Sequence, residues 1–330
     1  MKVLVTGGGG FLGRAIVEQL LDRGDDVTII ARSDYPEIRA LGAKTVQGDL
    51  ADKDACAKAV DGQDAVIHTA AKAGVWGKKE DYERSNIEAT RNVLNACFDK
   101  GVGRLVLTST PSVTFDGTDA EGAGQDLPYP ATFLTHYPQT KAHAEKLVLT
   151  SNGPNLATTA LRPHLIWGPR DPHLVPRVVE SARKKKLKIV GDGRNRVDLT
   201  YVDNGAVAHL QALDALTSHE APNAGKPYFI ADGEPVVLWE WINTLLGRLD
   251  VPPVRGHVSP DVAYKAGAVL ELVYRTLRLS GEPRMTRFVA QQLSTSHWYD
   301  MEPARRDFGY TPIVNPDDGF ERLVAWMKSV

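Results

Sequence analysis

The first 160 residues alternate between two patterns of hydrophobic positions. Short continuous apolar runs at Lys2–Thr6 and Val27–Ala31 are typical of strands that are buried on both faces. Between them, apolar residues recur at helical spacing from Leu12 to Leu20, and Gly24 then offers a natural helix end. Strands that alternate with helices indicate parallel βαβ units. The pattern therefore predicts an α/β fold with a Rossmann-type, doubly wound parallel sheet.

Further segments continue the alternation and then change in character. Strand-like residues recur at Val46, Ala65–Ile67 and Leu105–Leu107, and helical spacing covers Asp52–Val60 and Asn86–Phe98. After about Pro163, proline and glycine become frequent and the regular order is lost. Later candidates are a strand and helix at Leu199–Leu213, a strand at Tyr228–Ile230, and helices at Pro260–Leu279 and Phe320–Met327. We predict a dinucleotide-binding Rossmann domain over residues 1–170, to which 199–216 returns, and a smaller mixed substrate lobe over 171–330.

Composition and charge exclude several classes of function. Lys and Arg number 39 against 41 Asp and Glu, so the net charge of −2 gives no general attraction to nucleic acid. The two cysteines, Cys56 and Cys97, cannot form a disulfide framework and suit a reducing compartment. No stretch reaches the ~18 uncharged apolar residues of a membrane span. We expect a soluble, cytoplasmic protein.

A glycine-rich segment follows the first strand and opens the first helix. It reads Thr6-Gly7-Gly8-Gly9-Gly10-Phe11-Leu12-Gly13. Glycines let a backbone approach a pyrophosphate, and a helix N-terminus offers unpaired N–H groups and a positive dipole end. At this position in a βαβ unit, the segment predicts a dinucleotide site.

The end of the second strand indicates which dinucleotide binds. An NAD site places an acidic residue about 20 residues beyond the glycines to bind the ribose 2′-hydroxyl. Here the strand ends in Arg32 and Ser33, with Asp34 following. A guanidinium binds a 2′-phosphate through forked, charge-assisted hydrogen bonds, and Ser33 adds a neutral donor. We therefore expect NADP(H) rather than NAD(H).

Tyr137 and Lys141 form the clearest candidate for acid–base chemistry. Their i, i+4 spacing places a phenol and an ammonium group on one face of a helix. A nearby positive charge lowers a phenol pKa, so Tyr137 is expected to exchange a proton with an alkoxide. A third hydroxyl that polarises the carbonyl oxygen is expected from the end of the fifth strand, at Ser109, Thr110 or Ser112.

The combination of these motifs resembles the extended short-chain dehydrogenases/reductases. The spacing of Gly7, Gly10 and Gly13 is similar to their TGxxGxxG motif, and Tyr137 with Lys141 matches their YxxxK pair. In this alignment Thr110 takes the place of the catalytic serine, with Ser109 just before it. The resemblance implies cofactor contacts from motif positions Phe11, Leu12, Asp49, Leu50, His68, Ala70, Ala71, Asn86, Pro163 and Leu165. Near Asn86 the match departs from the pattern, because Ala89 replaces a glycine.

Two further segments narrow the resemblance to the 3β-hydroxysteroid dehydrogenase branch. Residues 70–77 and 111–117 look like those of bacterial 2-alkyl-3-oxoalkanoate reductases of long-chain olefin biosynthesis. That likeness implies NADPH-dependent reduction of the 3-oxo group of a hydrophobic β-keto acid, with Trp76 and Phe115 as apolar walls. The alternatives are a 3β-hydroxysteroid or 4-carboxysterol 3-dehydrogenase, a nucleotide-sugar epimerase or dehydratase, and an NADP(H)-sensing protein without catalysis.

The C-terminal half contains two segments that the catalytic motifs do not explain. An apolar stripe at Val262–Leu279 suits a core-facing helix, a lid over a lipid substrate, or a docking surface for a membrane or pathway enzyme. The basic run Arg183–Lys188 suits a solvated helix end or a docking surface for an anionic partner. His164, His173 and His297 lack metal-ligand spacing, so no metal is expected. A homodimer is the expected assembly.

Overall fold

The structure is a computed structural model that describes residues 1–329. Its strands are β1 (Lys2–Thr6), β2 (Asp26–Ala31), β3 (Lys44–Gln47), β4 (Ala65–His68), β5 (Arg104–Thr108), β6 (Ala120–Ala123), β7 (Ala157–Pro163), β8 (Ile166–Trp167), β9 (Ile189–Val190), β10 (Arg196–Val197), β11 (Thr200–Tyr201), β12 (Pro227–Ile230), β13 (Val236–Val237), β14 (His257–Val258) and β15 (His297–Tyr299).

The α-helices connect these strands and close the chain. They are α1 (Phe11–Asp22), α2 (Pro36–Ala40), α3 (Lys53–Val60), α4 (Lys79–Tyr82), α5 (Ala89–Lys100), α6 (His136–Thr150), α7 (Leu174–Arg183), α8 (Val202–Ala215), α9 (Leu238–Arg248), α10 (Pro260–Thr276), α11 (Arg287–Gln292), α12 (Glu302–Phe308) and α13 (Pro316–Ser329). A π-helical segment, Glu83–Glu88, joins α4 to α5, and a 3₁₀ turn, Pro111–Val113, follows β5.

Seven strands form a parallel central sheet in the order β12-β7-β5-β4-β1-β2-β3. Val3 and Val5 of β1 pack into the core on one face, while Leu4 between them packs into the core on the other. A strand covered by helices on both sides must be apolar at every position, which explains the continuous run in the sequence. The predicted Rossmann-type α/β fold is confirmed.

Helices cover both faces of this sheet. On one face α1 packs against α8, and on the other α3, α5 and α6 lie side by side. Cys56 and Cys97 are unpaired thiols buried in the second of these layers. None of the helices in residues 1–329 combines the length and the apolar character needed to cross a bilayer.

The chain passes more than once between the two predicted lobes. Beyond the expected return at residues 199–216, β12 adds an edge strand to the central sheet beside β7. In the opposite direction, β6 leaves the first lobe and pairs with β15 in a smaller sheet of order β13-β10-β15-β6. The C-terminal lobe is therefore tied to the Rossmann core through two sheets.

Candidate active site

A cleft of about 880 Å³ opens at the carboxyl ends of the central strands. It spans the boundary between β1 and β4, where the strand order reverses, which is the usual ligand position in open α/β sheets. Its lining includes the predicted site residues Gly7, Gly10, Phe11, Leu12, Gly13, Arg32, Asp49, Leu50, Ala70, Ala71, Ser109, Thr110, Tyr137, Lys141, Pro163 and Leu165. The structure thus gathers most of the sequence candidates in one place.

The glycine segment shapes the wall of the cleft at the start of α1. Gly7 has a φ of 70°, a left-handed conformation that favours glycine, and its Cα lies against the backbone of Ala70. The Gly10 N–H donates to the Gly7 carbonyl at 2.9 Å, and Gly10 caps α1 without a side chain. A Cβ at Gly13 would collide with that same carbonyl. The turn therefore leaves the N-terminus of α1 open, which fits a dinucleotide pyrophosphate.

At the far end of the cleft, the acidic residue near Arg32 is already neutralised. Asp34 accepts two hydrogen bonds from the Arg39 guanidinium, at 2.7 and 3.0 Å, whereas Arg32 is exposed and has no ion-pair partner within residues 1–329. Ser33 does not line the main cleft. It borders a separate depression of about 300 Å³, together with Tyr35 and Arg39.

Two lining residues at this end were not predicted from the sequence. The Tyr35 ring covers Gly9 so closely that a Cβ there would clash with it. Arg84 lines the cleft and pairs with the predicted Asp49 at 2.8 Å. Both residues come into place through contacts between segments distant in sequence, and no local pattern distinguishes them from ordinary surface residues.

Helix α6 carries the acid–base pair along one of its faces. Lys141 is 4 % exposed, and its ammonium group donates a 2.6 Å hydrogen bond to the carbonyl oxygen of Thr108. Burial lowers the pKa of Lys141 to about 8, and the charge of Glu145, one turn further along, acts in the opposite direction.

The phenol of Tyr137 faces the strand end from the first turn of α6. Burial raises the pKa of Tyr137, while the nearby Thr110 side chain lowers it by less. The sequence interpretation expected Lys141 to lower this pKa, but the Lys141 ammonium is directed at the Thr108 backbone. Tyr137 is consequently a protonated phenol at neutral pH, the form that donates a proton.

The three hydroxyl candidates after β5 have different surroundings. Thr110 Oγ1 accepts from the backbone N–H of Ser112 and donates to its hydroxyl, both at 3.2 Å, and so starts the 3₁₀ turn. Ser109 Oγ is buried and has no hydrogen-bond partner within residues 1–329. Ser112 is not among the residues that line the cleft. Ser109 and Thr110 both line the cleft, and of the two only the Thr110 side chain affects the pKa of the Tyr137 phenol.

A buried ion pair fixes the catalytic helix to the neighbouring strand. Arg162 of β7 donates to Glu145 of α6 at 2.6 and 3.1 Å, and both side chains are almost fully buried. The Tyr129 hydroxyl donates to the same carboxylate at 2.7 Å. This pair joins α6 to the strand that ends at Pro163, so it holds two walls of the cleft together.

Two further residues predicted as cofactor contacts do not line the cleft. The buried ring of His68 bonds to the hydroxyls of Thr6 at 2.7 Å and Thr90 at 3.0 Å. Burial, assisted by the charge of Lys141, lowers the pKa of His68 to about 3, so the ring is neutral. Asn86 accepts from the Lys72 backbone N–H at 2.7 Å and donates to Thr140 at 3.0 Å. These residues instead support the cleft walls from behind.

The predicted apolar walls Trp76 and Phe115 also lie outside the cleft lining. Trp76 packs edge-on against Tyr274 of α10, with ring centroids 6.1 Å apart. Phe115 packs in the same way against Phe288 of α11, at 5.8 Å. Each aromatic residue therefore connects a loop of the first lobe to the C-terminal lobe.

Within residues 1–329, no group of three or more His, Cys, Asp or Glu side chains is arranged to hold a metal ion. His164 and His297 do approach each other, with ring centroids 4.7 Å apart, but His164 Nδ1 bonds to the Asp198 carbonyl and His297 Nε2 to the Gln292 carbonyl. Burial lowers the pKa of both rings, so both are neutral.

Comparison with known proteins places this arrangement in a family. A profile of the 3-beta hydroxysteroid dehydrogenase/isomerase family matches residues 4–257, more than half of the chain. The chain belongs to this family. As a 3-beta hydroxysteroid dehydrogenase/isomerase family member, it is an oxidoreductase of the short-chain dehydrogenase/reductase type.

Individual relatives of this family cover nearly the whole chain. The 2-alkyl-3-oxoalkanoate reductase of Stenotrophomonas maltophilia (strain K279a) is 52 % identical over 327 residues, covering 98 % of this chain and 99 % of its own. The decarboxylating sterol-4-alpha-carboxylate 3-dehydrogenase of Mus musculus is 36 % identical over 331 residues, covering 98 % and 90 %. The crystal structure of a DesIV double mutant, a dTDP-glucose 4,6-dehydratase from Streptomyces venezuelae with NAD bound, is 25 % identical and superposes with a TM-score of 0.76 over 99 % of this chain and 97 % of that one.

Proposed function

We propose that this protein is an NADPH-dependent reductase of the 3-oxo group of a hydrophobic β-keto acid, of the 2-alkyl-3-oxoalkanoate class. The observation that carries the proposal is that Thr110, Tyr137 and Lys141 line one cleft at the carboxyl ends of the central strands. Two hydroxyl donors in the same cleft suit a carbonyl oxygen that gains negative charge. The 52 % identity to a named 2-alkyl-3-oxoalkanoate reductase supports the substrate class.

The residues of the cleft fit nicotinamide adenine dinucleotide phosphate. The open N-terminus of α1 and the Gly7–Gly10 turn would hold the pyrophosphate. Arg32 would bind the 2′-phosphate, because Arg39 neutralises Asp34 and leaves the Arg32 charge unopposed. When bound, the nicotinamide supplies the hydride that reduces the carbonyl carbon.

The side chains of the cleft then stabilise the negative charge on the carbonyl oxygen and supply its proton. Thr110 donates a hydrogen bond to that oxygen as negative charge develops. Tyr137 transfers its phenolic proton to the oxygen, which turns the ketone into a secondary alcohol and leaves a phenolate. The Lys141 ammonium, held beside β5 by the Thr108 carbonyl, would anchor the nicotinamide ribose hydroxyls when the cofactor is bound.

Steady-state kinetics test the proposal directly. We expect turnover of a 2-alkyl-3-oxo acid with NADPH, slower turnover with NADH, and little oxidation of a 3β-hydroxysteroid with NADP⁺. Tyr137→Phe should lower kcat by about 10²- to 10⁴-fold while NADPH still binds. The matched control Tyr274→Phe removes a phenol that lies outside the cleft lining and should leave kcat unchanged. Turnover of the steroid alone would favour the sterol dehydrogenase alternative.

A further inference from the structure

The face of α10 that points away from the protein is apolar. Six of the ten large hydrophobic side chains that are exposed within residues 1–329 lie on this helix or directly after it: Val262, Val269, Leu272, Val273, Leu277 and Leu279. Leu272, at 66 %, is the most exposed of the ten. A contiguous exposed apolar surface of this kind marks an interaction site more often than a random surface does. We call these six residues the α10 ridge.

The opposite face of α10 explains why the ridge points outward. Ala263, Gly267 and Glu271 are the buried residues of the helix, and they recur every four positions. A Cβ at Gly267 would clash with the backbone of Thr286 and Arg287, so α10 sits tightly on the start of α11. Arg287 also pairs with the buried Glu271 at 2.8 Å. Small and charged residues thus make the internal contact, which leaves the large apolar residues on the outside.

Exposed charges around the α10 ridge are mostly basic. Between residues 260 and 284 the exposed charged side chains are Lys265, Arg275, Arg278 and Arg284, against Asp261 alone. The acidic Glu282 of this stretch is paired with Arg177 at 2.7 Å. The surroundings of the ridge are therefore positive although the whole chain carries a net charge of −2.

The basic run noted in the sequence lies next to the beginning of α10. Strand β9, which follows the run, pairs in parallel with β14, and Ser259 then caps α10. Lys188 lies beside Gly256 at this junction. Exposed lysines Lys185, Lys186 and Lys188 consequently extend the positive surface beyond the N-terminal end of the helix.

We propose that the α10 ridge docks on an anionic lipid bilayer, with its apolar side chains in the interface and the surrounding Lys and Arg side chains at the headgroups. An amphipathic helix with basic flanks binds membranes in this orientation without crossing them. A two-fold contact with a second copy is disfavoured, because an isologous interface would bring together two copies of the same basic surface.

The ridge is also connected to the cleft. Trp76 packs against Tyr274 of α10, and the Arg275 guanidinium lies 5.6 Å from the centre of the Trp76 ring. The loop that carries Trp76 begins at Lys72 and Ala73, which line the cleft. The Val75 N–H donates to Glu282 at 3.4 Å, just beyond the ridge. A helix lying on a bilayer would therefore place the rim of the cleft near the membrane surface.

Vesicle flotation tests the docking surface without using enzymatic activity. The full-length protein is mixed with vesicles of phosphatidylglycerol and phosphatidylcholine in equal parts, or of phosphatidylcholine alone. We expect binding to the anionic vesicles that weakens with added salt, and at least about tenfold weaker binding to the neutral ones. Failure to bind anionic vesicles at low salt would overturn the proposal.

Variants separate the apolar and the basic contributions. The double variant Val269→Ser with Leu272→Ser should reduce vesicle affinity at least about tenfold, since two apolar side chains no longer enter the interface. Arg278→Gln should reduce it about fivefold, the effect of one basic residue near an anionic surface. The matched control Ile313→Ser changes an exposed apolar residue, 58 % accessible, outside the ridge and should bind as the wild type does.

Each remaining outcome decides against the proposal. If the double variant folds, as judged by its circular dichroism melt, and binds vesicles as the wild type does, the ridge is not the docking surface. If the wild type is a dimer that the double variant converts to a monomer, with no vesicle binding by either, the ridge is an interface between copies of this chain. Because neither assay measures reduction of a keto acid, both results are independent of the proposed reaction.

Discussion

The Lys141 ammonium group is anchored to the Thr108 carbonyl oxygen by a 2.6 Å hydrogen bond. Thr108 is the last residue of β5, so the backbone of the central sheet determines where this positive charge lies. The charge faces the cleft from a buried position in which few solvent dipoles can screen it. Its protonation state should therefore be visible in the kinetics.

We expect the reduction rate to fall as the pH rises through about 8. Burial lowers the pKa of Lys141 to about 8, so the group is charged below that pH and loses its proton above it. The pKa of Tyr137 is raised above its ordinary value, which keeps the phenol protonated in this range. A profile of kcat/KM against pH should show one alkaline limb. In Lys141→Arg the positive charge persists to much higher pH. An alkaline limb that remained near pH 8 in this variant would therefore have to come from another group.

Thr110 and Ser109 should respond very differently to the loss of their hydroxyls. Thr110→Ala should lower kcat about 10²- to 10³-fold, because the donor beside the Tyr137 phenol is lost. Thr110→Ser keeps that donor and should retain most of the activity. Ser109→Ala removes a buried hydroxyl without a partner, so stability should stay the same or rise and kcat should change little. A large loss of kcat in Ser109→Ala alone would transfer the role to Ser109.

Arg32 should determine the preference between the two dinucleotides. Arg32→Ala should weaken NADPH binding about tenfold or more, because charge-assisted bonds to a phosphate contribute about 1.5–3 kcal/mol, and should leave NADH binding unchanged. Fluorescence titration with each reduced cofactor measures both constants. The control Asp34→Asn removes a carboxylate that Arg39 already neutralises and should preserve the NADPH preference. Equal losses for both cofactors in Arg32→Ala would contradict the assignment.

The buried ion pair should matter more for folding than any exposed pair. Arg162→Met leaves the Glu145 carboxylate buried without its partner and should cost about 3–5 kcal/mol of unfolding free energy. Combining it with Glu145→Leu should recover much of that loss, since neither charge is then stranded. At the exposed pair Arg248–Glu321, Arg248→Met should change little. Urea denaturation measures the unfolding free energy of each of these variants. A small loss of unfolding free energy in Arg162→Met would show that Glu145 finds other partners.

Local patterns predicted the elements of the fold well where one physical cause dominates. The strands β1 and β2 are apolar at successive positions because helices cover both faces, and the glycine turn requires residues without a Cβ. The i, i+4 relation of Tyr137 and Lys141 follows from helix geometry alone. Features of this kind depend on neighbours in the sequence.

Other features depend on how the folded segments pack against one another and could not be predicted from the local pattern. His68 stands at a strand end within a family motif, yet its ring is enclosed by Thr6, 62 positions earlier, and Thr90, 22 positions later. The charge of Asp34 is cancelled by Arg39 only because the short helix α2 folds back toward it. The apolar stripe of α10 has the spacing of a core-facing helix, and only the packing at Gly267 shows that it faces outward.

The edge strand β12 means that the two lobes cannot be exchanged as separate modules. It follows α8, which packs on α1, and it completes the sheet beside β7, whose end forms part of the cleft. A chimaera cut near residue 170 would remove an edge strand and a covering helix from the Rossmann core and expose the interior of the sheet. Redesign of substrate preference is better confined to replacements after Ile230 that leave this strand in place.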